Sequence, residues 1–302
     1  DEMLLRLAKN NNYFIELKEK YDKEQKISHG YFKEIDSQKL NEISNHELFS
    51  LIKKGIEAIE IAVGIGHIIE SYALITDESL KKELGKIIKN QVELNEVFIA
   101  LTTPTEPSFA QESERLLKNI VKSGNKKKEA EEYIKKFYWI KNTYSARHIL
   151  TIDEVISEAE AVKDNKEPNI QKIKDRRNSL YEKLNLDHDL KVRFDSLLFI
   201  TTWQDERKKN VLIAVDYLER LLEELSLRTK IGIELLRYAL GDEFNEEIVE
   251  LKDKLAERRK GSMFFHFPDS VTAVSGEDYK LIKASADKKD NSDMKQLSGN
   301  AA

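Results

Sequence analysis

Residues 188–225 read HDLKVRFDSLLFITTWQDERKKNVLIAVDYLERLLEEL. No proline or glycine interrupts them, and Phe194, Leu197, Leu198, Val211, Leu212, Val215, Leu218 and Leu222 recur at helical steps. An unbroken helix here would be roughly 55 Å long at 1.5 Å per residue. Apolar stripes of this kind need other helices to cover them. The stretch therefore predicts a mainly α fold, a multi-helix, bundle-like domain.

The flanking sequence agrees. The chain of 302 residues has four prolines, at 104, 107, 168 and 268. The Pro-free stretches permit long helices. Tyr13, Phe14, Leu17 and Tyr21 form one stripe; Leu48, Leu51, Ile52, Ile56, Ile59 and Val63 form another, behind a capping-box spacing at Ser44 and Glu47. Asp77 is expected to cap a further helix carrying Leu80, Leu84, Ile87, Ile88 and Val92. The sharpest break is Leu101-Thr102-Thr103-Pro104-Thr105-Glu106-Pro107. Ser108 with Gln111 should open a helix ending near Gly124, and Thr151 with Glu154 repeats the device. Asn245 should cap a last helix through Leu255 that stops at Gly261.

After Gly261 the period changes. Met263-Phe264-Phe265-His266-Phe267 and Val271-Thr272-Ala273-Val274 read as two short strands around a turn at Pro268-Asp269-Ser270, a small β-hairpin near the C-terminus. From Ala284 the polar composition reads as a linker or tail. No fixed-period repeat supports a solenoid.

Composition narrows the chemistry. Fifty Lys and Arg stand against 55 Asp and Glu, for a net charge of −5. That balance argues against a dedicated nucleic-acid binder. With no cysteine there is no disulfide framework, zinc-thiolate site or thiol nucleophile. No uninterrupted apolar run reaches the length of a membrane span, and no signal segment opens the chain, so a cytoplasmic protein without membrane partners is expected. None of the six histidines, 29, 46, 67, 148, 188 and 266, has Glu three residues before it, and His46-Glu47 lacks the second histidine of a zincin helix. No metal ligands or catalytic residues are assigned. Gly64-Ile65-Gly66 reads as close helix packing rather than a dinucleotide loop, and His67 lies in an apolar stretch where a buried imidazole would need a hydrogen-bond partner.

Two basic clusters remain. Arg258-Arg259-Lys260 closes a helix, where cations suit the macrodipole. Arg207-Lys208-Lys209 is mid-helix, near Trp203, and reads either as a solvated face or as an anion site.

Five segments in order resemble one family. Leu101 to Phe109 is similar to the "LTxPxxPSF" break of phosphoenolpyruvate-utilising enzymes, and Phe137-Tyr138-Trp139-Ile140-Lys141-Asn142-Thr143-Tyr144 to their "KYxWIxNxY" segment. Asp205-Glu206-Arg207-Lys208 resembles "RxxRK", Leu255 to Gly261 resembles "LxxRRxGY", and Val274-Ser275-Gly276-Glu277 resembles "vxxGeeA". The family is that of phosphoenolpyruvate synthase-like proteins, including rifampicin phosphotransferases. Gln204 stands where many relatives have Arg and Tyr133 where they often have His, and rifampicin itself is not indicated.

The resemblance, which spans roughly residues 70–280, implies a central helical domain of acceptor- or substrate-binding type. The unmatched first 70 residues are expected to join it, because their helical stripes need burial partners. That gives a helical domain, 1–260, a hairpin extension, 261–283, and a linker, 284–302, leading to a swivelling phosphohistidine domain. The final residues, Leu297 to Ala302, resemble the opening of that domain. A longer parent protein with an ATP-grasp domain is implied, with ATP and Mg2+ as its cofactors and none in this chain. Arg207 and Lys208 would supply charge to the arriving phosphate, and Trp139, Asn142 and Tyr144 would line or buttress a pocket for a small-molecule acceptor. The alternatives are a free-standing helical ligand-binding module and a protein-interaction scaffold built on the long helix.

Overall fold

A computed structural model describes residues 6–7, 10, 12–162, 169–267 and 270–290. Among them are eleven α-helices and one two-stranded antiparallel sheet, so the fold is mainly α with a small hairpin near the C-terminus. The helices are α1 (Tyr13–Asp36), α2 (Asn45–Ile87), α3 (Gln91–Thr102), α4 (Phe109–Lys122), α5 (Lys126–Phe137), α6 (Ile152–Ala161), α7 (Ile170–Lys183), α8 (His188–Thr229), α9 (Ile233–Leu236), α10 (Lys252–Lys260) and α11 (Gly276–Asp290). The strands are β1 (Ser262–Phe267) and β2 (Ser270–Ser275). The chain divides into two compact units, residues 1–34 with 57–217, and residues 35–56 with 218–302.

In the first unit α8 is the common wall. Its Leu190, Phe194 and Leu197 pack with Leu80 and Leu84 of α2 and Leu94, Val97 and Leu101 of α3. Further along, Ile200 and Trp203 meet Phe14 and Tyr21 of α1 and Ile69 and Tyr72 of α2. Beyond that, Val211 and Val215 join Ala62 of α2, while Leu212 and Ile213 cover a third cluster built from α4, α5 and α6. Serving several clusters in turn, α8 is apolar on more than one face, as a buried helix must be.

The capping boxes at Ser44 and Ser108 form where the spacing places them. Ser44 Oγ accepts from Glu47 N–H at 3.2 Å, and Glu47 accepts from Ser44 N–H at 2.8 Å. Ser108 and Gln111 make the same reciprocal pair at the start of α4. Thr151 makes only half of one. Its hydroxyl accepts from Glu154 N–H at 3.2 Å, but the Glu154 carboxylate turns to His148 Nε2 at 2.9 Å.

Three expectations are corrected. Asp77 caps nothing and lies inside α2. Buried Ile69, Tyr72, Thr76, Leu80 and Leu84 continue at three- and four-residue steps straight past it, so the helix has no phase change at which to stop. Burial pushes the Asp77 carboxyl above its usual pKa. The next helix starts instead at Asn90, whose side chain accepts from Val92 and Glu93 N–H, and Ile87 and Val92 are exposed rather than on the buried stripe. His67, whose burial the sequence left open, is exposed, because the face of α2 that meets α8 carries Gly66 and Ile69. The polar segment from Ala284 continues a helix as far as Asp290. The expected turn at Pro268-Asp269 and the linker beyond 290 lie outside the described residues.

In the second unit Leu48, Leu51 and Ile52 of α2, and Leu221, Leu222 and Leu225 of α8, are buried. Arg228 straps the 37–44 connection to α8, donating to the carbonyls of Leu40 and Ile43 at 2.5 and 3.0 Å and to Asn45 Oδ1 at 3.0 Å. Asn245 caps a 3₁₀ turn, Glu246–Leu251, which passes directly into α10. Arg258 is 2% exposed; it donates to the Tyr238 carbonyl at 2.9 Å and to both oxygens of Glu243 at 2.6 and 2.8 Å. Arg258 is thus a buried pairing residue as well as a cation in the last turn of α10. The strands run in register from Ser262 opposite Ser275 to Phe267 opposite Ser270. Gly276, at φ +63°, makes the left-handed step from β2 into α11, which a glycine takes without strain.

By length and composition α2 is the described helix that could cross a membrane, and 29% of its most apolar window is buried.

Candidate functional site

The break before α4, the aromatic segment after α5 and the middle of α8 meet at Phe109. Pro104 and Pro107 keep the approach to α4 extended, so α4 begins abruptly at Phe109 with unpaired N–H groups pointing backwards. Asp205 of α8 takes one of them: its Oδ2 accepts from Phe109 N–H at 2.8 Å. Burial raises the pKa of Asp205, against the stabilising pull of the Phe109 N–H and of Lys208 and Lys209. The Phe109 ring stands edge-on to Trp139, centroids 5.2 Å apart. Lys209 Nζ lies 6.0 Å from the centre of the same indole.

The five residues expected to form an acceptor pocket do not all share one place, although Trp139 and Asn142 adjoin, the Asn142 N–H donating to the Trp139 carbonyl at 3.0 Å. Arg207 is 8% exposed and turned towards α2, where it is ion-paired with Glu70. Gln204 holds the other oxygen of Glu70 at 3.0 Å. The helices approach closely because residue 66 is glycine; a Cβ there would lie 2.6 Å from Arg207 Cδ and 3.2 Å from Tyr21 Cε2. The Arg207 guanidinium, expected to face a phosphate, is here paired with a carboxylate and ties α8 to α2.

Trp139 is buried on the other side of α8, in the α4–α6 cluster, and its indole N–H donates to the Lys136 carbonyl at 3.2 Å. Asn142, 7% exposed, is a bracket. Its Nδ2 donates to the Leu212 carbonyl at 3.1 Å, and its Oδ1 accepts from His148 N–H at 2.8 Å. Arg147 Nε adds an ion pair to Asp216 of α8 at 2.9 Å. Trp139 and Asn142 thus buttress the packing of α8 against the segment after α5. Tyr144 is 61% exposed. Lys208 borders a recess, a space of about 190 Å3 shared with Pro104, Glu106, Pro107, Ser108, Thr201, Thr202, Gln204 and Asp205.

A larger cavity, about 530 Å3, opens on the α4–α6 cluster. Phe109, Ala110, Leu117, Ile140 and Val162 give it apolar walls, and Ser113, Tyr133, Lys141, Glu158 and Glu114 its polar groups. No single segment of the sequence points to it, because its lining comes from three short helices and from the turns after two of them, which supply Ile140, Lys141 and Val162. Ser113, a small polar residue on the Leu117 face of α4, and Tyr133 were the available signals. Among the described residues no three His, Asp or Glu side chains are placed to share a metal ion.

Compared with known proteins, the chain matches no family model, no curated protein and no solved structure.

Proposed function

We propose that this chain is the helical, acceptor-binding part of a phosphotransferase of the phosphoenolpyruvate-synthase type, inactive alone and served by ATP-grasp and phosphohistidine domains of one parent protein. The observation that supports the reading is the meeting of three of the five family-like segments at Phe109. That residue ends the first segment, its ring touches Trp139 of the second, and its N–H is held by Asp205 of the third. Segments so distant in the chain have reason to keep a pattern together if they build one place.

Phosphoryl transfer relies on positioning and on charge placed where the phosphate arrives. Here the cation is Lys208, exposed at the mouth of the recess beside the 104–108 break. Arg207 acts at a distance by holding α8 against α2. ATP and Mg2+ belong to the parent's other domains, the acceptor is a small molecule, and the protein works in the cytoplasm without nucleic-acid or membrane partners.

The test is the reading frame on both sides of residues 1–302. The proposal expects an ATP-grasp segment before them and a histidine-bearing swivelling segment after them. A frame with neither leaves a free-standing helical module and contradicts it.

A further inference from the structure

The 530 Å3 cavity over α4, α5 and α6 is within the size range of small-molecule sites, about 300–1,000 Å3. Its polar groups pair in a particular way. Ser113 and Tyr133, 5% and 2% exposed, face each other across 2.6 Å, hydroxyl to hydroxyl. Two hydroxyls hold two protons, and their mutual bond uses one. The second proton and the remaining lone pairs are available to a guest.

The charged groups at the opening are already matched. Lys141 Nζ is 2.8 Å from Glu158, and Glu114 is 2.9 Å from Lys118. The Lys141 pair also lies close enough to act on Tyr133, with Glu158 raising and Lys141 lowering its pKa, while burial is the main cause of that pKa's rise. A charged guest would have to break one of these pairs and leave a partner exposed to the cavity. An uncharged one would not.

We propose that this cavity binds a small uncharged ring compound bearing one hydroxyl or carbonyl. The ring lies against Phe109, Leu117, Ile140 and Val162, and the oxygen joins the Ser113–Tyr133 pair. The proposal goes beyond the phosphotransfer reading and does not need it, because binding here requires no phosphate donor.

The experiment is amide NMR of the whole chain titrated with p-cresol and cyclohexanol, and with benzoate and benzylamine as charged counterparts. The neutral alcohols should shift amides in 109–117, 133–141 and 158–162 saturably, and the charged compounds should bind at least tenfold more weakly. Tyr133→Phe should weaken p-cresol three- to tenfold, the worth of one hydrogen bond, and leave toluene unchanged. Because that variant strips Ser113 of its partner, Ala110→Trp supplies an independent check. Ala110 is exposed on α4, and the indole should block the opening and abolish binding while the folded spectrum persists. No saturable shift with either alcohol, tighter binding of benzoate or benzylamine, or binding that survives Ala110→Trp would overturn the assignment.

Discussion

Gly66 of α2 faces the aliphatic stem of Arg207 of α8, so closely that a methyl group at residue 66 would sit 2.6 Å from Arg207 Cδ. The stem cannot swing aside freely, because its guanidinium is tied to Glu70. One glycine and one ion pair therefore set the spacing of the two longest helices in the first unit.

Gly66→Ala should then destabilise the fold by about 1–3 kcal/mol, the usual range for overpacking. Gly64, two residues away, has nothing within 4 Å of its would-be Cβ. Gly64→Ala should stabilise by about 0.5–1 kcal/mol through helix propensity. Urea unfolding of both variants checks the contrast; equal effects would mean that the close approach is not made.

Arg207→Ala should lower stability by about 1–3 kcal/mol, since it removes a charged hydrogen bond to the part-exposed Glu70. It should leave the binding of inorganic phosphate unchanged. Lys208→Ala should do the reverse, changing stability by no more than about 0.5 kcal/mol and weakening phosphate binding. Calorimetric titration beside thermal melts separates the two, and a swap of the two phenotypes would return Arg207 to the anion site.

Asp205→Ala should free the Phe109 N–H and cost about 1–2 kcal/mol, as expected for a hydrogen bond to a charged acceptor at a helix start. Asp205→Asn keeps an acceptor oxygen and should lose less. Hydrogen exchange should accelerate at Phe109 in the alanine variant while the centre of α5 keeps its protection.

Acid stability should depend on Glu243. Burial raises its pKa, but hydrogen bonds from Arg258, the Leu240 N–H and Lys254 outweigh that and bring it to about 2, against 4.5 for a free glutamate. A depressed carboxylate contributes stability that is complete above the unfolded value and disappears as pH falls through the folded one. The urea midpoint should therefore drop between about pH 4.5 and 2, and Glu243→Gln should be less stable at pH 7 with a flatter acid limb. An unchanged limb would show that the Arg258 pair is not formed.

Much of the fold was legible in the sequence. Four prolines, the capping boxes at Ser44 and Ser108 and the apolar steps of α8 are local signals, and helices obey local signals. The errors came where tertiary packing overrode a local cue. Asp77 looks like a cap but lies within α2, because Thr76 and Leu80 keep the buried face in phase. Apolar neighbours left the burial of His67 open, and it is exposed because the Gly66 side of that turn is the one that meets α8. The candidate site was less legible. Arg207, Trp139 and Asn142 were singled out as chemically able side chains, but their partners Glu70, Lys136 and Leu212 depend on which face of each helix turns inward. The α4–α6 cavity is a product of packing, hinted at locally by Ser113 on the Leu117 face of α4 and by Tyr133.

The most direct measurement of the central claim uses the product of the whole reading frame, incubated with ATP and Mg2+ and analysed by mass spectrometry in alkaline conditions that preserve phosphohistidine. The account predicts phosphate on a histidine outside residues 1–302 and on none of His29, His46, His67, His148, His188 or His266. Phosphate on one of those six, or on no histidine at all, would contradict it.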